Sequence, residues 1–354
     1  MDTSATSAEI SEDRAQYYAR INEHAMAPLW ENLRHLLTPE PAVKSVPHFW
    51  DYSELRELLL ESANVISAAE AERRVLMLEN PGLPGNCSIT ESLYGGLQLI
   101  MPGEVAPAHR HTPAALRFII EGSGAYTAVD GEKTYMEPGD FIITPSWTWH
   151  DHGHEGEMPV VWLDGLDIPL IRTVGSIFVE HYPDERFPEG PPPGDSLTRY
   201  GNNMRPVGVM PEDLNSPIFS YPYDRSRETL ETLSKTTDLD PYHGLKLEYI
   251  DPTSGGPAMA TISTFLQMLP KGFKSETYQS TESLIYSPVE GSGKLVVGEG
   301  DKQVTYDWTG QDIMVVPCWY PHHFEAAEES VVFCFSDKVV QTKLGVWRER
   351  RGNA

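Results

Sequence analysis

Three histidines have the residue type and the spacing of a metal site. His109 and His111 are separated by one residue just ahead of the apolar run FIIEG, and His150 follows a proline turn further along the chain. Because residues i and i+2 of a β-strand point to the same face, the first two imidazoles should project inward together. Three neutral imidazoles on one side of an octahedral ion leave the opposite positions open for a chelating ligand. The spacing therefore predicts a metal site, for which Fe(II), Zn(II) and Mn(II) stay open on these residues alone.

Arginines are concentrated near these histidines, although the chain as a whole is acidic. Arg117 lies six residues after His111, so it shares the inward face of a regular strand. A buried guanidinium needs an anion, and its planar fork matches a carboxylate. We therefore predict that Arg117 clamps a substrate carboxylate, with an ion pair to Asp164 as the alternative. Arg110, between the two histidines, should face outward.

Further polar and aromatic side chains are candidates for the same pocket. His152 has the strand parity of His150 and should face inward, where it would hydrogen-bond the substrate or move a proton rather than bind the metal. His154 follows a glycine and is expected in a turn. Tyr94 and Trp147 are candidate pocket walls, with packing in the core as the alternative.

Composition limits the class of protein. The chain has 354 residues, with 27 Lys and Arg against 52 Asp and Glu, a net charge of −25. Such a field repels nucleic acid and anionic membranes, which favours a protein that acts on small molecules. The sequence shows neither a long apolar run nor a basic segment followed by an apolar one, so we expect no membrane span and no signal peptide. Three scattered cysteines predict buried free thiols in the cytoplasm; they are Cys87, Cys318 and Cys334.

The elements that must position these residues are helical first and β-rich afterwards. Helical spacing runs over 15–37, interrupted by Pro28, and over 51–66, with Asp51 as a helix cap. From about residue 73 the chain alternates short apolar runs with Gly and Pro, which is typical of a sandwich or barrel. The segment VDGEKTY predicts a hairpin turn at Asp130-Gly131.

Two strand-rich blocks have the same landmarks, which indicates an internal duplication. The paired landmarks are Gly103 with Gly272, EGSG at 121 with EGSG at 290, Asp140 with Asp312, and Pro145 with Pro317. We predict a helical extension over 1–72, a first barrel with the metal site over 73–180, a Pro-rich linker and short helix over 181–244, and a second barrel over 245–354. The aligned ligand positions of the second copy are Tyr278, Ser280 and His322, so we expect that copy to be metal-free.

The histidine motifs resemble those of the cupins. The positions that fit are Gly103, His109, His111 and Gly122 in the first motif, and Gly139, Pro145 and His150 in the second. The resemblance implies a mainly β bicupin, with two double-stranded β-helix (jelly-roll) barrels and an α-helical N-terminal extension. Ala115 stands where cupins usually have a glutamate ligand, which implies a site of three histidines without a carboxylate.

Three longer segments, ERRVLMLENPGLPGN, HRHTPAALRFIIEG and VVWLDGLDIPL, resemble the gentisate 1,2-dioxygenase family. The resemblance implies an Fe(II) enzyme of aromatic catabolism that uses O2 to cleave gentisate between the carboxyl-bearing and the adjacent hydroxyl-bearing carbon, giving maleylpyruvate. It also implies a homotetramer. The substrate-binding positions it implies are Tyr94, Arg73, Gln98, Arg117, Trp147 and His152, and the catalytic ones are Arg117, His152 and Asp164.

Three alternative functions stay open on the sequence. The first is cleavage of salicylate or 1-hydroxy-2-naphthoate, since Gly95 and Gly96 ahead of Gln98 suggest a pocket edge that could admit another ring. The second is a non-catalytic cupin that binds a small anion. The third is a cupin isomerase or decarboxylase that uses zinc or manganese. Oxygen uptake by the iron-loaded protein separates them.

Overall fold

The computed structural model describes residues 11–211 and 214–352. The first ten residues lie outside this range. The expectation that no signal peptide is present rests partly on them. Among the described residues, no helix combines the length and apolar character needed to cross a bilayer. The chain forms two compact units, the first ending at Ala42 and the second beginning at Val43.

The first unit contains two short helices, α1 (Glu12–Glu23) and α2 (Leu29–Leu36). The predicted interruption at Pro28 is confirmed, because α2 begins directly after that proline. Proline has no backbone N–H to donate to the carbonyl one helical turn earlier. Tyr18 joins the two helices: its hydroxyl accepts a hydrogen bond from Trp30 Nε1 at 2.7 Å and donates to Glu31 at 2.5 Å.

The second unit is mainly β, with six helices between its strands. The helices are α3 (Tyr52–Val65), α4 (Ala68–Ala71), α5 (Ile168–Thr173), α6 (Asp195–Tyr200), α7 (Tyr223–Ser234) and α8 (Lys338–Lys343). The predicted helix over 51–66 is confirmed with its cap, since the Asp51 carboxylate accepts from Ser53 N at 2.8 Å.

Strands in the first half of this unit are β1 (His48–Trp50), β2 (Val75–Met77), β3 (Tyr94–Ile100), β4 (Val105–His111), β5 (Ala115–Glu121), β6 (Ala125–Val129), β7 (Glu132–Tyr135), β8 (Phe141–Thr144), β9 (His150–His154), β10 (Val160–Leu166) and β11 (Val179–His181). Those in the second half are β12 (Ser220–Tyr221), β13 (Leu245–Glu248), β14 (Ser263–Leu269), β15 (Tyr278–Ser280), β16 (Leu284–Glu290), β17 (Ser292–Val297), β18 (Val304–Thr309), β19 (Ile313–Val316), β20 (His322–Ala326), β21 (Ser330–Ser336) and β22 (Glu349–Arg351).

Four antiparallel sheets form two barrels of two sheets each, as the duplication predicts. The first barrel combines the orders β12-β8-β5-β10-β3-β2 and β11-β4-β9-β6-β7, and the second combines β1-β19-β16-β21-β14-β13 and β18-β17-β20-β15-β22. The predicted hairpin joins β6 to β7, and Asp130 and Gly131 both have positive φ, 46° and 84°. Those angles belong to the tight turn that matches the twist of two antiparallel strands.

Each barrel borrows an edge strand from the segment that precedes the other barrel. Strand β1, ahead of the first barrel, pairs with β19 of the second, and β12, ahead of the second barrel, pairs with β8 of the first. Two carboxylates anchor the exchanged segments, since Asp312 accepts from Tyr52 N and Asp140 accepts from Tyr223 N. The division of the chain into four segments stays a prediction. The two exchanged strands and the two carboxylates form contacts across its boundaries.

An aromatic core joins the two barrels. The rings of Phe118 and Phe333 stack with centroids 4.1 Å apart, and burial of each ring contributes roughly 1.5–3 kcal/mol. Reciprocal hydrogen bonds flank this core: Thr261 donates to Asp167 at 2.6 Å, and Ser92 donates to Asp337 at 2.6 Å. Each carboxylate belongs to one barrel and takes its donor from the other.

Two local expectations are wrong. His154 is not in a turn but is a buried residue of β9; its Nε2 donates to Met158 O, and its Nδ1 accepts from Gly156 N. The turn signal of the preceding glycine is overridden because β9 pairs with β6 along its whole length. The three cysteines are free, but only Cys334 is buried, while Cys87 is exposed in a loop.

Candidate metal centre and its pocket

The three predicted histidines converge inside the first barrel. Strand β4 carries His109 and His111, strand β9 carries His150, and His109 lies directly opposite His150 in the antiparallel pair. The ring centroids are 4.3 Å apart for His109 and His150, 4.8 Å for His111 and His150, and 5.1 Å for His109 and His111. One nitrogen of each ring lies within 4.8 Å of the others, so this group could hold a metal ion.

Backbone carbonyls orient two of these rings, those of His111 and His150. Nδ1 of His111 lies 2.7 Å from Pro113 O, and Nδ1 of His150 lies 3.0 Å from Thr148 O. A carbonyl only accepts, so Nδ1 carries the proton and Nε2 keeps its lone pair, which is the usual arrangement behind a metal-bound histidine. His150 Nε2 is buried and has no hydrogen-bond partner in the described chain. A metal ion would satisfy this orphaned atom, and the donor set therefore fits one.

The electrostatic surroundings keep the three imidazoles neutral. Burial, followed by the charge of Arg73, lowers the pKa of His109 to about 2. Burial lowers the pKa of His111 to about 4, and the pKa of His150 well below its ordinary value. Metals bind the neutral form of histidine, so this environment favours ligation. No carboxylate belongs to the group among the described residues.

Arg117 projects into the same cavity, as predicted, but the premise of one regular strand is wrong: β4 ends at His111, and Arg117 lies on the next strand, β5, which begins at Ala115. The arginine is buried, donates to Thr144 Oγ1 at 2.5 Å, and places Nη2 3.3 Å from His152 Nε2. The alternative partner Asp164 is present, but its Oδ1 is 3.7 Å from Arg117 Nε, beyond hydrogen-bond distance. Nε itself has no acceptor among the described residues. The guanidinium thus retains capacity for an anion.

Two neighbouring arginines have different surroundings. Arg74 donates to both oxygens of Glu104, at 2.8 and 2.9 Å, and is fully engaged. Arg73 donates to Pro107 O at 2.9 Å, contacts His109 Nδ1, and forms no ion pair with a described carboxylate. Burial, followed by repulsion from Arg117, lowers the pKa of Arg73 to about 9.

One of the two pocket guanidinium groups has no ion-pair partner among the described residues. Arg117 pairs with Asp164 at 3.7 Å, and burial raises the pKa of that acid to about 6. Arg73 forms no ion pair with a described carboxylate, and the charges of Asp164, Glu72 and Asp151 act on it only from a longer distance. Desolvated charge of this kind is costly unless an anion completes it.

His152 lies beside the triad with a defined tautomer. A guanidinium only donates, so His152 Nε2 accepts from Arg117 and Nδ1–H donates to Thr127 Oγ1 at 2.9 Å. Thr127 lies directly opposite His152 on the neighbouring strand. Trp162 packs its ring against His152, with centroids 5.4 Å apart, and donates from Nε1 to Asp164 at 2.9 Å.

Sequence reasoning missed Thr127, Thr144 and Trp162. Trp162 was detectable, because it lies two residues before Asp164 and shares its face. The two threonines were not, since Thr127 is the cross-strand partner of His152 and Thr144 lies diagonally across the β5–β8 pair from Arg117, and only the register of the sheet defines these positions.

The remaining predicted residues lie in two different places. Gln98 is buried on β3, opposite Val75 and Trp162. Tyr94 begins the same strand. Trp147 instead packs its ring on Phe178, at 4.5 Å, and beneath the guanidinium of Arg110, at 4.4 Å. The assignment of these three to the substrate pocket stays a prediction.

Arg110 faces outward, as predicted. Its guanidinium lies over the rings of Trp147 and Trp149, at 4.4 and 4.5 Å, and pairs with Glu180 of β11 at 2.6 Å. The arginine between the two histidines therefore fastens the outside of the barrel, while the histidines face the inside.

Known proteins resemble this chain over nearly its full length. A family model described as "Cupin domain" matches residues 96–166. Gentisate 1,2 dioxygenase 1 of Aquipseudomonas alcaligenes is 50% identical over 342 residues, which are 97% of each chain. A 1-hydroxy-2-naphthoate 1,2-dioxygenase of Nocardioides sp. (strain KP7) is 35% identical, over 85% of this chain and 77% of its own. The crystal structure of salicylate 1,2-dioxygenase from Pseudoaminobacter salicylatoxidans with gentisate superposes with a TM-score of 0.91 at 30% identity, over 100% of this chain and 98% of that one. The predicted bicupin fold is confirmed.

Proposed function

The chain belongs to the gentisate 1,2-dioxygenase family, and from that membership we propose that it is an Fe(II)-dependent enzyme that cleaves gentisate with O2 to give maleylpyruvate. Close relatives carry this name at 50% and 35% identity. The observation that carries the proposal is the combination of three neutral histidines with two buried arginines, of which Arg73 forms no ion pair with a described carboxylate. A substrate with an aromatic ring, a carboxylate and an adjacent ring oxygen matches both features.

We propose that His109, His111 and His150 hold the ferrous ion, His111 and His150 through their Nε2 atoms. A bound ferrous ion would supply the redox chemistry that allows O2 to react with an aromatic ring. Neutral ligands suit such a substrate, because the anionic oxygens of a hydroxybenzoate can then balance the charge of the ion. The orphaned Nε2 of His150 and the carbonyl contacts of the other ring nitrogens support this assignment.

Arg117 and Arg73 would bind the substrate carboxylate. Charge-assisted hydrogen bonds from a guanidinium are among the strongest in proteins, at about 1.5–3 kcal/mol each, and the buried setting excludes competing water. Thr144 and Asp164 hold the Arg117 guanidinium in place from two sides. Orientation is the main contribution of these groups, since the bond that breaks must be presented in one fixed position.

His152 would hold or accept a proton at Nε2. Its Nδ1–H is committed to Thr127, so Nε2 is the atom that could accept a hydrogen bond from a ring hydroxyl, in exchange for its 3.3 Å contact with Arg117 Nη2. Burial and the neighbouring Arg117 lower the pKa of His152 well below its ordinary value, which keeps this nitrogen unprotonated. Asp164 would support this arrangement by balancing Arg117.

Oxygen uptake tests the proposal. The protein is loaded with Fe(II) without oxygen and then mixed with gentisate and O2, and the ring-opened product is identified by its mass gain of both oxygen atoms. Stoichiometric iron without oxygen uptake on any hydroxybenzoate would contradict the enzyme reading. Zinc- or manganese-loaded protein is the matched control for the identity of the metal.

A second substrate class is favoured by the names of two relatives, a 1-hydroxy-2-naphthoate and a salicylate dioxygenase, and not by the glycines of β3. A Cβ atom at Gly96 would lie 2.7 Å from Val75 Cγ1 and 2.8 Å from Tyr94 Oη, so no other residue fits there without displacing those side chains. Val75 and Tyr94 fill the space at this glycine, so it opens no room for a larger ring, and salicylate and 1-hydroxy-2-naphthoate are supported as alternative substrates by the named relatives alone. The same oxygen-uptake assay with all three acids ranks them.

We further propose that the enzyme is a cytoplasmic homotetramer. The family resemblance and the free cysteines support these assignments. Light scattering coupled to size-exclusion chromatography measures the assembly state directly.

A further inference from the structure

The three histidines of the metal centre lie where two strands end. Strand β4 ends at His111, and strand β9 begins at His150. The β4–β9 pair is irregular between Ala106 and His109 and resumes only where His109 faces His150. Strand ends open more readily than strand centres, so the sheet ladder alone holds these side chains weakly. Contacts outside the ladder are therefore needed to fix their relative positions.

One set of such contacts lies on the outer face of the barrel, behind the histidines. Arg110 lies between the two histidines of β4, and its guanidinium is 4.4 Å from the centre of the Trp147 ring and 4.5 Å from that of Trp149. Trp149 directly precedes His150 in the chain. A side chain between the first two histidines thus contacts both tryptophans that lead to the third. We call Arg110, Trp147 and Trp149 the outer clamp.

Strand β11 supports the outer clamp from the other side of β4. Glu180 is opposite Arg110 in the β4–β11 pair, and its carboxylate accepts from Arg110 Nε at 2.8 Å. Phe178, just before β11, packs on Trp147 with ring centroids 4.5 Å apart, and Tyr182, just after it, packs on Trp149 at 5.1 Å. Both tryptophans are half-buried. A cation over rings that are partly shielded from water is held more strongly than an exposed one.

The backbone of the turn before β9 is tied to the same strand. The amide of Trp147 donates to the carbonyl of His111 at 2.9 Å, and the hydroxyl of Ser146 donates to the carbonyl of Thr112 at 2.6 Å. Trp147 has a φ of 64°, in the left-handed region that bulky residues rarely occupy. Such a conformation persists where its surroundings hold it. The ring contacts of the outer clamp are contacts that hold it here.

The second barrel has the same turn but a different clamp. Trp319 has a φ of 66°, and its amide donates to Ser280 O at 2.7 Å, so the turn belongs to the shared framework. The residue between the aligned ligand positions is Gln279, which lies opposite Arg350 of the edge strand β22. The guanidinium of Arg350 is 5.3 Å from the centre of the Trp319 ring. In the first barrel, by contrast, the strand that carries two of the histidines also carries the cation.

We propose that the outer clamp positions the three histidines and thereby sets how tightly they bind a metal ion. Its side chains act through the backbone that carries the histidines and are not ligands themselves. This inference rests on the proposed metal centre. KM for gentisate, measured with iron in excess, should change little when the clamp is removed, because Arg110 faces away from the pocket.

The affinity and the visible spectrum of bound cobalt test the clamp. Co(II) is titrated without oxygen into the metal-free full chain, and its absorption bands report both occupancy and the geometry of the ligands. We expect Arg110→Gln, which introduces the residue type of the second barrel, to weaken binding about tenfold and to shift the bands. Trp149→Leu should weaken binding too. The double variant should lose less than the product of the two factors, because both changes remove one shared contact.

Arg350→Gln is the matched control, since it removes the arginine–tryptophan stack of the second barrel. It should leave the cobalt affinity and the bands unchanged. Equal affinity and identical bands in Arg110→Gln and the wild type, or equal losses in Arg110→Gln and Arg350→Gln, would overturn the clamp. Losses that multiply exactly in the double variant would overturn it as well, because the two side chains would then act separately.

Two further measurements keep the result interpretable. Urea unfolding checks that each variant is folded, and if Arg110→Gln is not, Trp149→Leu takes its place with the same expected direction. His111→Ala should abolish cobalt binding. If His111→Ala binds cobalt as tightly as the wild type, the proposed metal centre itself is wrong, so its failure is distinguishable from that of the clamp.

Discussion

The two barrels place different chemistry on the same framework. The first has His109, His111 and His150 where the second has Tyr278, Ser280 and His322. The histidine that remains in the second barrel is engaged, because its Nε2 contacts Tyr286 Oη, whereas the Nε2 of its counterpart His150 has no partner among the described residues.

The difference extends to the charges behind these positions. Four residues before the EGSG turn, the first barrel has Arg117 and the second has Tyr286. The residue opposite is Asp164 in the first barrel and Cys334 in the second. The second barrel thus buries neutral groups where the first buries an arginine and an acid. Buried charges are costly, so an arginine and an acid at these positions are weak evidence for a purely stabilising role.

The largest expected effect separates the two barrels by their metal content. His111→Ala should lose bound iron and with it all oxygen uptake. This loss should exceed the ~10–100-fold fall in metal affinity or activity that is typical when a residue that only supports a ligand is changed. The matched change His322→Ala should leave iron and turnover intact and lower the free energy of unfolding by about 1–3 kcal/mol, because it leaves the Tyr286 hydroxyl unpaired. Metal analysis and oxygen uptake measure both, and iron loss in His322→Ala would contradict a metal-free second barrel.

Arg117→Ala tests the buried charge with the metal retained. We expect iron to stay bound while the affinity for gentisate falls by about 2–3 kcal/mol, or roughly 30–150-fold, because a charge-assisted contact is lost and Asp164 is left uncompensated. Arg110→Ala, on the outer face, is the control and should change KM little. Unchanged kinetics in Arg117→Ala would assign the carboxylate to another group.

The sequence was sufficient for the inward-facing histidines of the first barrel, and strand parity explains why. His109 and His111 lie on one strand, β4, and the local bulge before His109 leaves their faces unchanged. Arg117 reaches the same cavity from a different strand, β5, so the count of residues from His111 does not explain its orientation. The exchange of β1 and β12 between barrels could not be predicted, since a three-residue and a two-residue strand contain no signal for the sheet edge they join. Cross-strand partners depend on register, which a single sequence does not define.

Thr127→Val tests one such partner. Valine keeps the shape but cannot accept from His152 Nδ1, so the tautomer that presents Nε2 to the substrate loses its support. We expect kcat to fall about tenfold with iron and KM unchanged, and Thr127→Ser to restore it. Nitrogen-15 chemical shifts report the tautomer of His152 directly. A fall in kcat that serine does not rescue would indicate a packing role instead.

The smallest expected effect concerns a feature that the two barrels share. Asp167 and Asp337 are reciprocal, each buried and each accepting a hydroxyl from the other barrel. Burial raises the pKa of Asp167 to about 6 and the pKa of Asp337 above its ordinary value. Between the ordinary pKa of 3.8 and about 6, the folded protein retains a proton on Asp167 that the unfolded chain has released. Folding stability contributed by this group is therefore present at low pH and is lost as the pH rises through that window.

Asp167→Asn removes the titration and retains a side-chain oxygen for the Ala114 amide. Relative to the wild type, the variant should gain in free energy of unfolding as the pH rises from about 4 to about 6, and the difference should stay constant above that. Asp337→Asn should show the same direction, since burial acts on both carboxyls alike. Urea unfolding at a series of pH values measures the two curves. If the stability difference of Asp167→Asn does not change with pH, or if the two variants have opposite pH slopes, the two barrels differ at this contact as well as in their chemistry. The coupling between the metal-binding barrel and its neighbour would then be asymmetric.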